Sequence, residues 1–128
     1  GSGNDTLAGD GNGNLLKGND GDDSIEGGGG IDTLIGDDGD DTLYAGSVAA
    51  ADVLRGGTGA DLLTGNGGTN TLDGGDGADT LNGGSGADSL NGGIGNDTIK
   101  LSKDQKWLFD KLDDNRVSQL IGYNIVFI

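Results

Sequence analysis

The sequence is short, rich in glycine and strongly acidic: its 128 residues include 30 glycines and 22 acidic residues but only seven basic ones, which gives a net charge of −15. It contains no histidine, cysteine, methionine or proline, and this excludes catalysis or metal binding through imidazole or thiolate groups. A chain with so little apolar surface and so much charge would ordinarily stay disordered, because burial cannot offset the loss of conformational entropy.

The negative charge is concentrated in residues 1–99, which hold 18 acidic and two basic residues. Such a surface repels nucleic acid and anionic lipid, and it attracts cations, most simply a metal ion. No apolar stretch is long enough to predict a membrane-spanning helix. The sequence therefore indicates two parts, an acidic body over residues 1–100 and a tail over residues 101–128.

The acidic body has a period of nine residues, and this periodicity argues against disorder. Units such as 74–82, 83–91 and 92–100 read Gly-Gly-x-Gly-x-Asp-x-(Leu/Ile)-x. Position eight is aliphatic in all eleven units: Leu7, Leu16, Ile25, Leu34, Leu43, Leu54, Leu63, Leu72, Leu81, Leu90 and Ile99. Polar residues mostly flank this position, which predicts a short strand with one buried face. One unit, residues 45–55, is two residues longer than the others.

The nonapeptide resembles the repeats-in-toxin (RTX) repeat of calcium-binding parallel β-rolls. The resemblance covers residues 1–100 and implies that each unit forms a six-residue calcium-binding turn and then a strand, with two units to each coil. The implied fold is all-β, a right-handed parallel β-roll of about five and a half coils over residues 1–100, followed by a short C-terminal α/β cap over residues 101–128. The residue types agree, since glycine permits tight turns and aspartate supplies the oxygen ligands that Ca²⁺ prefers.

Two units per coil place alternate repeats above one another and divide the turns into two columns. The first turn column has aspartate at position six throughout: Asp5, Asp23, Asp41, Asp61, Asp79 and Asp97. The second turn column is mixed: Asn14, Asp32, Asp52, Asn70 and Asp88. If each ion takes one aspartate from each of two successive turns, as the resemblance implies, the first column offers five complete sites. The second offers one, between Asp32 and Asp52, which we expect the insertion to distort, and weaker or absent ions beside Asn14 and Asn70.

The tail departs from the repeat. Ser102 begins a capping-box pattern, and Trp107, Leu108 and Leu112 follow at helical spacing, which predicts one short helix. The apolar run at residues 123–128 predicts a strand. The tail is interpreted as a cap over the last coil, because repeat arrays need a covering element. A second interpretation, compatible with the first, makes it part of an uncleaved secretion signal.

The resemblance implies a module that is disordered without Ca²⁺ and folds on extracellular Ca²⁺. Its expected partners are calcium ions, an upstream domain of a larger exoprotein and the type I secretion machinery, and its expected location is outside a bacterial cell or on the cell surface. The alternative is a segment of a surface adhesin or a polysaccharide-binding module. An enzyme is not expected, because acidic pairs such as Asp22–Asp23 and Asp40–Asp41 fit ligands or solvated turn charges better than a glycosidase acid pair. Ice binding is disfavoured because Leu62 interrupts the outward row of threonine and serine residues.

Overall fold

The computed structural model of the chain describes residues 1–102 and 123–127, and within these residues every regular element is a β-strand. One strand comes from each of the eleven repeats, and a twelfth comes from the tail. The strands are β1 (Thr6–Ala8), β2 (Leu15–Asp20), β3 (Ser24–Gly28), β4 (Thr33–Asp38), β5 (Thr42–Gly46), β6 (Val53–Thr58), β7 (Leu62–Thr64), β8 (Thr71–Asp76), β9 (Thr80–Asn82), β10 (Ser89–Ile94), β11 (Asp97–Leu101) and β12 (Tyr123–Phe127).

The strands form two parallel sheets, one from each set of alternate repeats. The first sheet has the order β1-β3-β5-β7-β9-β11-β12, and the second has the order β2-β4-β6-β8-β10. Each repeat strand pairs with the strand two further along the chain, so that Leu7 lies beside Ile25 in the first sheet and Leu16 beside Leu34 in the second. This is a parallel β-solenoid of about five turns, and it confirms the all-β roll that the family resemblance implied.

The core is a column of aliphatic side chains at position eight, contributed alternately by the two sheets, with Ala45 buried beside them. The members inside the stack are at most 1% exposed: Ile25, Leu34, Leu43, Leu54, Leu63, Leu72 and Leu81. Leu7, Leu16 and Leu90 are only partly buried. Their strands β1, β2 and β10 each pair with one neighbour only. Burying one such side chain contributes roughly 1.5–3 kcal/mol, so a core one residue wide in each strand gives the roll a modest apolar contribution.

The two additional residues lie in the turn between β5 and β6, and the sheet absorbs them without a change of register. Leu34 of β4 still pairs with Leu54 of β6. The aliphatic column therefore remains continuous past the insertion, because the additional chain is taken up outside the strands.

The tail contributes β12, which pairs in parallel with β11 and so covers the last repeat strand of the first sheet. This agrees with the strand predicted over residues 123–128. The helix predicted after Ser102 lies outside the described residues. In the described part of the chain, no helix is long and apolar enough to cross a bilayer.

Candidate metal centre

The side chains at position six are buried, although nearly all of them are carboxylates. At most 3% of their surface is exposed along most of the roll: Asp23, Asp32, Asp41, Asp52, Asp61, Asn70, Asp79 and Asp97. Asp5 and Asp88, nearer the ends of the roll, are partly buried. Burying an ionised group is costly unless a hydrogen bond, a counter-charge or a metal compensates it. The hydrogen-bond partners of each carboxylate oxygen therefore show which oxygens are left to bind a metal ion.

From the second coil onward, Oδ1 of each position-six side chain accepts a hydrogen bond in a ladder that runs along the roll. Asp41 Oδ1 accepts a hydrogen bond from the main-chain N–H of Asp23 at 2.8 Å, and Asp61 Oδ1 accepts one from Asp41 at 2.8 Å. The same bond recurs at every described step of both turn columns: Asp5 to Asp23, Asp61 to Asp79, Asp79 to Asp97, Asn14 to Asp32, Asp32 to Asp52, Asp52 to Asn70 and Asn70 to Asp88. Position six therefore joins successive coils before any ion is considered.

The second oxygen of six aspartates is buried and has no hydrogen-bond partner. These Oδ2 atoms belong to Asp23, Asp41, Asp61, Asp79 and Asp97 of the first turn column and to Asp32 of the second. Leaving a buried polar atom unsatisfied costs about 1–3 kcal/mol, and more when it is charged. Five of the six lie in the turn column for which the sequence predicted complete sites.

The free oxygens lie beside main-chain carbonyls because the first glycine of each turn leaves room for both. A Cβ added to Gly36 would overlap Asp41 Oδ2 and would lie 2.7 Å from the carbonyl oxygen of Gly56 on the next coil. Gly74 shows the same arrangement with Asp79 Oδ2. The glycine thus keeps open a space where a carboxylate oxygen and a carbonyl oxygen converge and no donor is present. Hard oxygen donors of both kinds are the ligands that Ca²⁺ takes.

The insertion leaves the corresponding atoms of the second column in place. Asp32 donates its N–H to Asp52 Oδ1 at 2.8 Å, and the steps on either side measure 2.8 Å and 3.0 Å. A Cβ on Gly27 would lie 2.5 Å from both Asp32 Oδ2 and the carbonyl oxygen of Ala45. Ala45 therefore stands where the other turns have glycine, and the distortion expected at these atoms is not seen.

Burial and neighbouring carboxylates make the turns unfavourable for negative charge in the absence of metal. Burial raises the pKa of Asp61 to about 7, with further contributions from the charges of Asp79 and Asp41. Burial also raises the pKa of Asp41, Asp52 and Asp79. A divalent cation placed among these groups would reverse the effect, because it favours the ionised form.

No cluster of three carboxylates that could hold an ion by itself occurs in the described residues. Any ion bound in these turns therefore takes main-chain oxygens together with aspartate, as the glycine positions suggest. The sequence had indicated aspartate as a ligand, but only the coordinates place the carbonyl oxygen of one coil beside the carboxylate of another.

A second ladder, at position five, was not predicted from the sequence. Asn4 Oδ1 accepts a hydrogen bond from the N–H of Asp22 at 3.0 Å, Asp22 Oδ1 accepts one from Asp40 at 2.9 Å, and Asp40 Oδ1 accepts one from Ala60 at 2.8 Å. In this ladder each N–H donates to a side chain of the preceding coil, whereas at position six each N–H donates to a side chain of the following coil. The only signal in the sequence is the run of Asn or Asp at position five in alternate repeats. Asp22 and Asp23 thus serve separate ladders.

Fold and site together define a metal-binding β-solenoid whose ligands are repeated turn by turn. Four overlapping segments, residues 1–34, 17–49, 48–81 and 64–99, match the RTX calcium-binding nonapeptide repeat. The chain therefore belongs to this family, and its repeats are calcium-binding repeats that form a β-roll. RTX repeats are typical of secreted bacterial proteins. No curated protein matches the chain.

Proposed function

We propose that the chain is a calcium-responsive, non-catalytic structural module whose turns bind Ca²⁺ through position-six carboxylates and glycine carbonyls. The observation that carries this proposal is the row of six buried, unpartnered Oδ2 atoms, five of which lie beside a position-one glycine. The proposed ligands are Asp5, Asp23, Asp41, Asp61, Asp79 and Asp97 of the first column and Asp32 and Asp52 of the second. Asp88 was also a candidate ligand in the sequence, but its only neighbour in the column is Asn70, and no ion is assigned to it. Five ions are assigned to the first column and one to the step between Asp32 and Asp52.

Calcium binding and folding are coupled in this proposal. Without a cation, buried carboxylates repeat at each coil, at a strand spacing of about 4.8 Å, and the thin aliphatic column must oppose their repulsion. When bound, Ca²⁺ supplies charge compensation and additional oxygen coordination, so its binding free energy becomes folding free energy. Extracellular calcium modules bind at about 10⁻⁴ to 10⁻³ M, far above free cytosolic calcium. The chain would therefore stay unfolded inside a cell and fold outside it.

The biological role that follows is an aid to export and folding. An unfolded acidic chain suits passage through a type I secretion system, and folding on extracellular calcium would give an attached exoprotein domain a rigid scaffold. We place the folded module outside the cell or on its surface. Residues 101–128 are proposed as a cap and, in addition, as part of a secretion signal. The pairing of β12 with β11 supports the cap.

The test is a calcium titration of metal-stripped protein followed by far-UV circular dichroism, with calorimetry to count bound ions and Mg²⁺ as the control cation. We expect a transition from coil to β-structure near millimolar Ca²⁺, about six bound ions, and no transition with Mg²⁺ at the same concentration. A chain that is already folded without calcium would contradict the coupling. A chain that binds no calcium would contradict the proposal as a whole.

A polysaccharide-binding module is the second candidate, and one observation favours it. Lys17 and Arg55, the two basic residues of the first 99, line the same groove of about 300 Å³ on the second sheet, together with Ile35. Asp37 weakens this candidate, because its carboxylate pairs with Lys17 Nζ at 2.8 Å. Titration of the calcium-loaded protein with acidic and neutral polysaccharides distinguishes the two. Binding that Arg55→Ala abolishes would favour the second candidate, and the first predicts no ligand besides the ion.

A further inference from the structure

Asn70 takes the place of an aspartate in the ladder, with its amide held in one orientation. It is 1% exposed, and its Oδ1 accepts a hydrogen bond from the main-chain N–H of Asp52 at 3.0 Å. Only the oxygen of an amide can accept this bond, so the ladder determines which way the amide faces. Nδ2 must then lie where the aspartate turns present their unpartnered oxygen.

The surroundings of Nδ2 confirm this placement. A Cβ on Gly65 would lie 2.7 Å from Asn70 Nδ2 and 2.9 Å from the carbonyl oxygen of Gly83 on the next coil. This matches Gly74 of the first column, where the neighbours are a carboxylate oxygen and a carbonyl oxygen. Asn70 Nδ2 also donates a hydrogen bond to the carbonyl of Gly67 in its own turn, at 3.1 Å. The aspartate turns offer acceptors only, whereas this turn supplies its own donor.

Asn14, the other asparagine at position six, is arranged differently. Its Oδ1 accepts a hydrogen bond from the N–H of Asp10 at 2.9 Å, and this oxygen lies against Gly9, beside the carbonyl of Gly27. Asn14 thus presents an oxygen to the carbonyl of the next coil, and a neutral oxygen can still ligate a cation. Asn70 instead presents N–H groups, and these cannot ligate a cation. The two asparagines are equivalent in the sequence, but they are chemically opposite in the fold.

We propose that the Asn70 amide replaces a bound cation, so that the turn over residues 65–70 closes without metal and no ion binds on either side of it. The inference rests on the proposed function, because it assigns where calcium does not bind among the same turns. Asn66 reinforces the arrangement, since its Nδ2 donates to the carbonyl of Gly46 at 2.6 Å and joins this turn to the extended one before it. The middle of the second column is thus held by amides, and the first column is left to the ions.

The test counts calcium ions by calorimetry at saturating calcium in the whole chain and in three variants. Asn70→Asp restores the carboxylate and removes the donor, so we expect about one to two more ions than in the unaltered chain and a correspondingly steeper dependence of folding on calcium concentration. Asn70→Ala removes the donor without adding a ligand, so we expect an unchanged ion count and a higher calcium midpoint. Ser89→Asp adds the same charge on the exposed outer face of β10 and should leave the count unchanged.

The outcomes separate this inference from the proposed function. An unaltered chain that binds no calcium overturns the proposed function, and the inference with it. An unaltered chain that binds calcium, together with an Asn70→Asp variant that binds the same number of ions, overturns the inference alone. If Asn70→Asp does not fold, the reverse change, Asp79→Asn in the first column, decides: the loss of at least one ion supports the inference, and an unchanged count contradicts it.

Discussion

Asp61 accepts a hydrogen bond from the main-chain N–H of Asp41 through Oδ1, at 2.8 Å, while its Oδ2 is buried without a partner. One carboxylate therefore has two separate tasks. Its first oxygen sets the register between two coils, and its second is left for a cation. Because the same division recurs along the column, calcium affinity and roll geometry depend on the same residues.

Asp61→Asn removes one negative charge from the interior of the first column. We expect the loss of about one to two bound ions and a calcium midpoint raised about tenfold, which corresponds to about 1.4 kcal/mol, because two adjacent sites share this residue. Calorimetry and circular dichroism during calcium titration measure both quantities. Asp20→Asn is the matched control, since Asp20 lies in the same column but is exposed. Equal effects of the two substitutions would contradict the assignment of Asp61 as a ligand.

Gly36→Ala tests the space kept open by the first glycine of a turn. The added methyl group would overlap Asp41 Oδ2 and crowd the carbonyl of Gly56. Overpacking of this kind costs about 1–3 kcal/mol, so we expect the calcium midpoint to rise by about tenfold or more. Gly11→Ala is the control, because a Cβ there meets no atom within 4 Å. A calcium titration in which both variants behave alike would show that the space is not needed.

Leu63 and Leu62 are neighbours in β7 that point to opposite sides of the sheet. Leu63 is fully buried and Leu62 is 41% exposed. We expect Leu63→Ala to destabilise the calcium-loaded roll by about 2–5 kcal/mol and Leu62→Ala to change its stability by no more than about 0.5 kcal/mol. Urea unfolding at saturating calcium measures both. Comparable losses would mean that the core is not the position-eight column.

The raised pKa of Asp61, to about 7, predicts opposite effects of pH on the metal-free and calcium-loaded states. A pKa raised on folding contributes stability that is present below the unfolded value, 3.8, and is lost as the pH rises through about 7. Metal-free chain should therefore fold more readily in acid. Calcium competes with the proton, so calcium affinity should fall as the pH drops below about 7. Circular dichroism from pH 4 to 8, with and without calcium, checks both directions, and a calcium midpoint independent of pH would be the contrary result.

Deletion of residues 101–128 tests the proposed cap. The deletion removes β12, and with it the strand that pairs with Thr98 and Ile99 of β11. An uncovered parallel edge can pair with another chain, so we expect a higher calcium midpoint and self-association detectable by light scattering. Unchanged folding at saturating calcium, with no association, would refute the cap.

Much of the architecture could be predicted from the sequence, because each repeat has nearly the same pattern of residue types. An aliphatic residue at position eight, flanked mostly by polar residues, predicts a strand with one buried face. The period of nine, through the family resemblance, predicts the alternation of repeats between two sheets. The unbroken aspartate row from Asp5 to Asp97 distinguishes the first turn column from the second without coordinates. These features depend on residue type and spacing alone.

The tertiary structure decided what depends on contacts between residues 18 or 20 positions apart. It shows that six of the position-six carboxylates use one oxygen for the preceding coil and leave the other without a hydrogen-bond partner, and that the insertion does not change the ladder at Asp52. It also separates Asn70 from Asn14, because the Asn70 amide accepts a hydrogen bond from Asp52 on the preceding coil, whereas the Asn14 amide accepts one from Asp10 in its own turn. No property of a single repeat contains that information, so the location of the metal-free turn is determined by the stacking of coils.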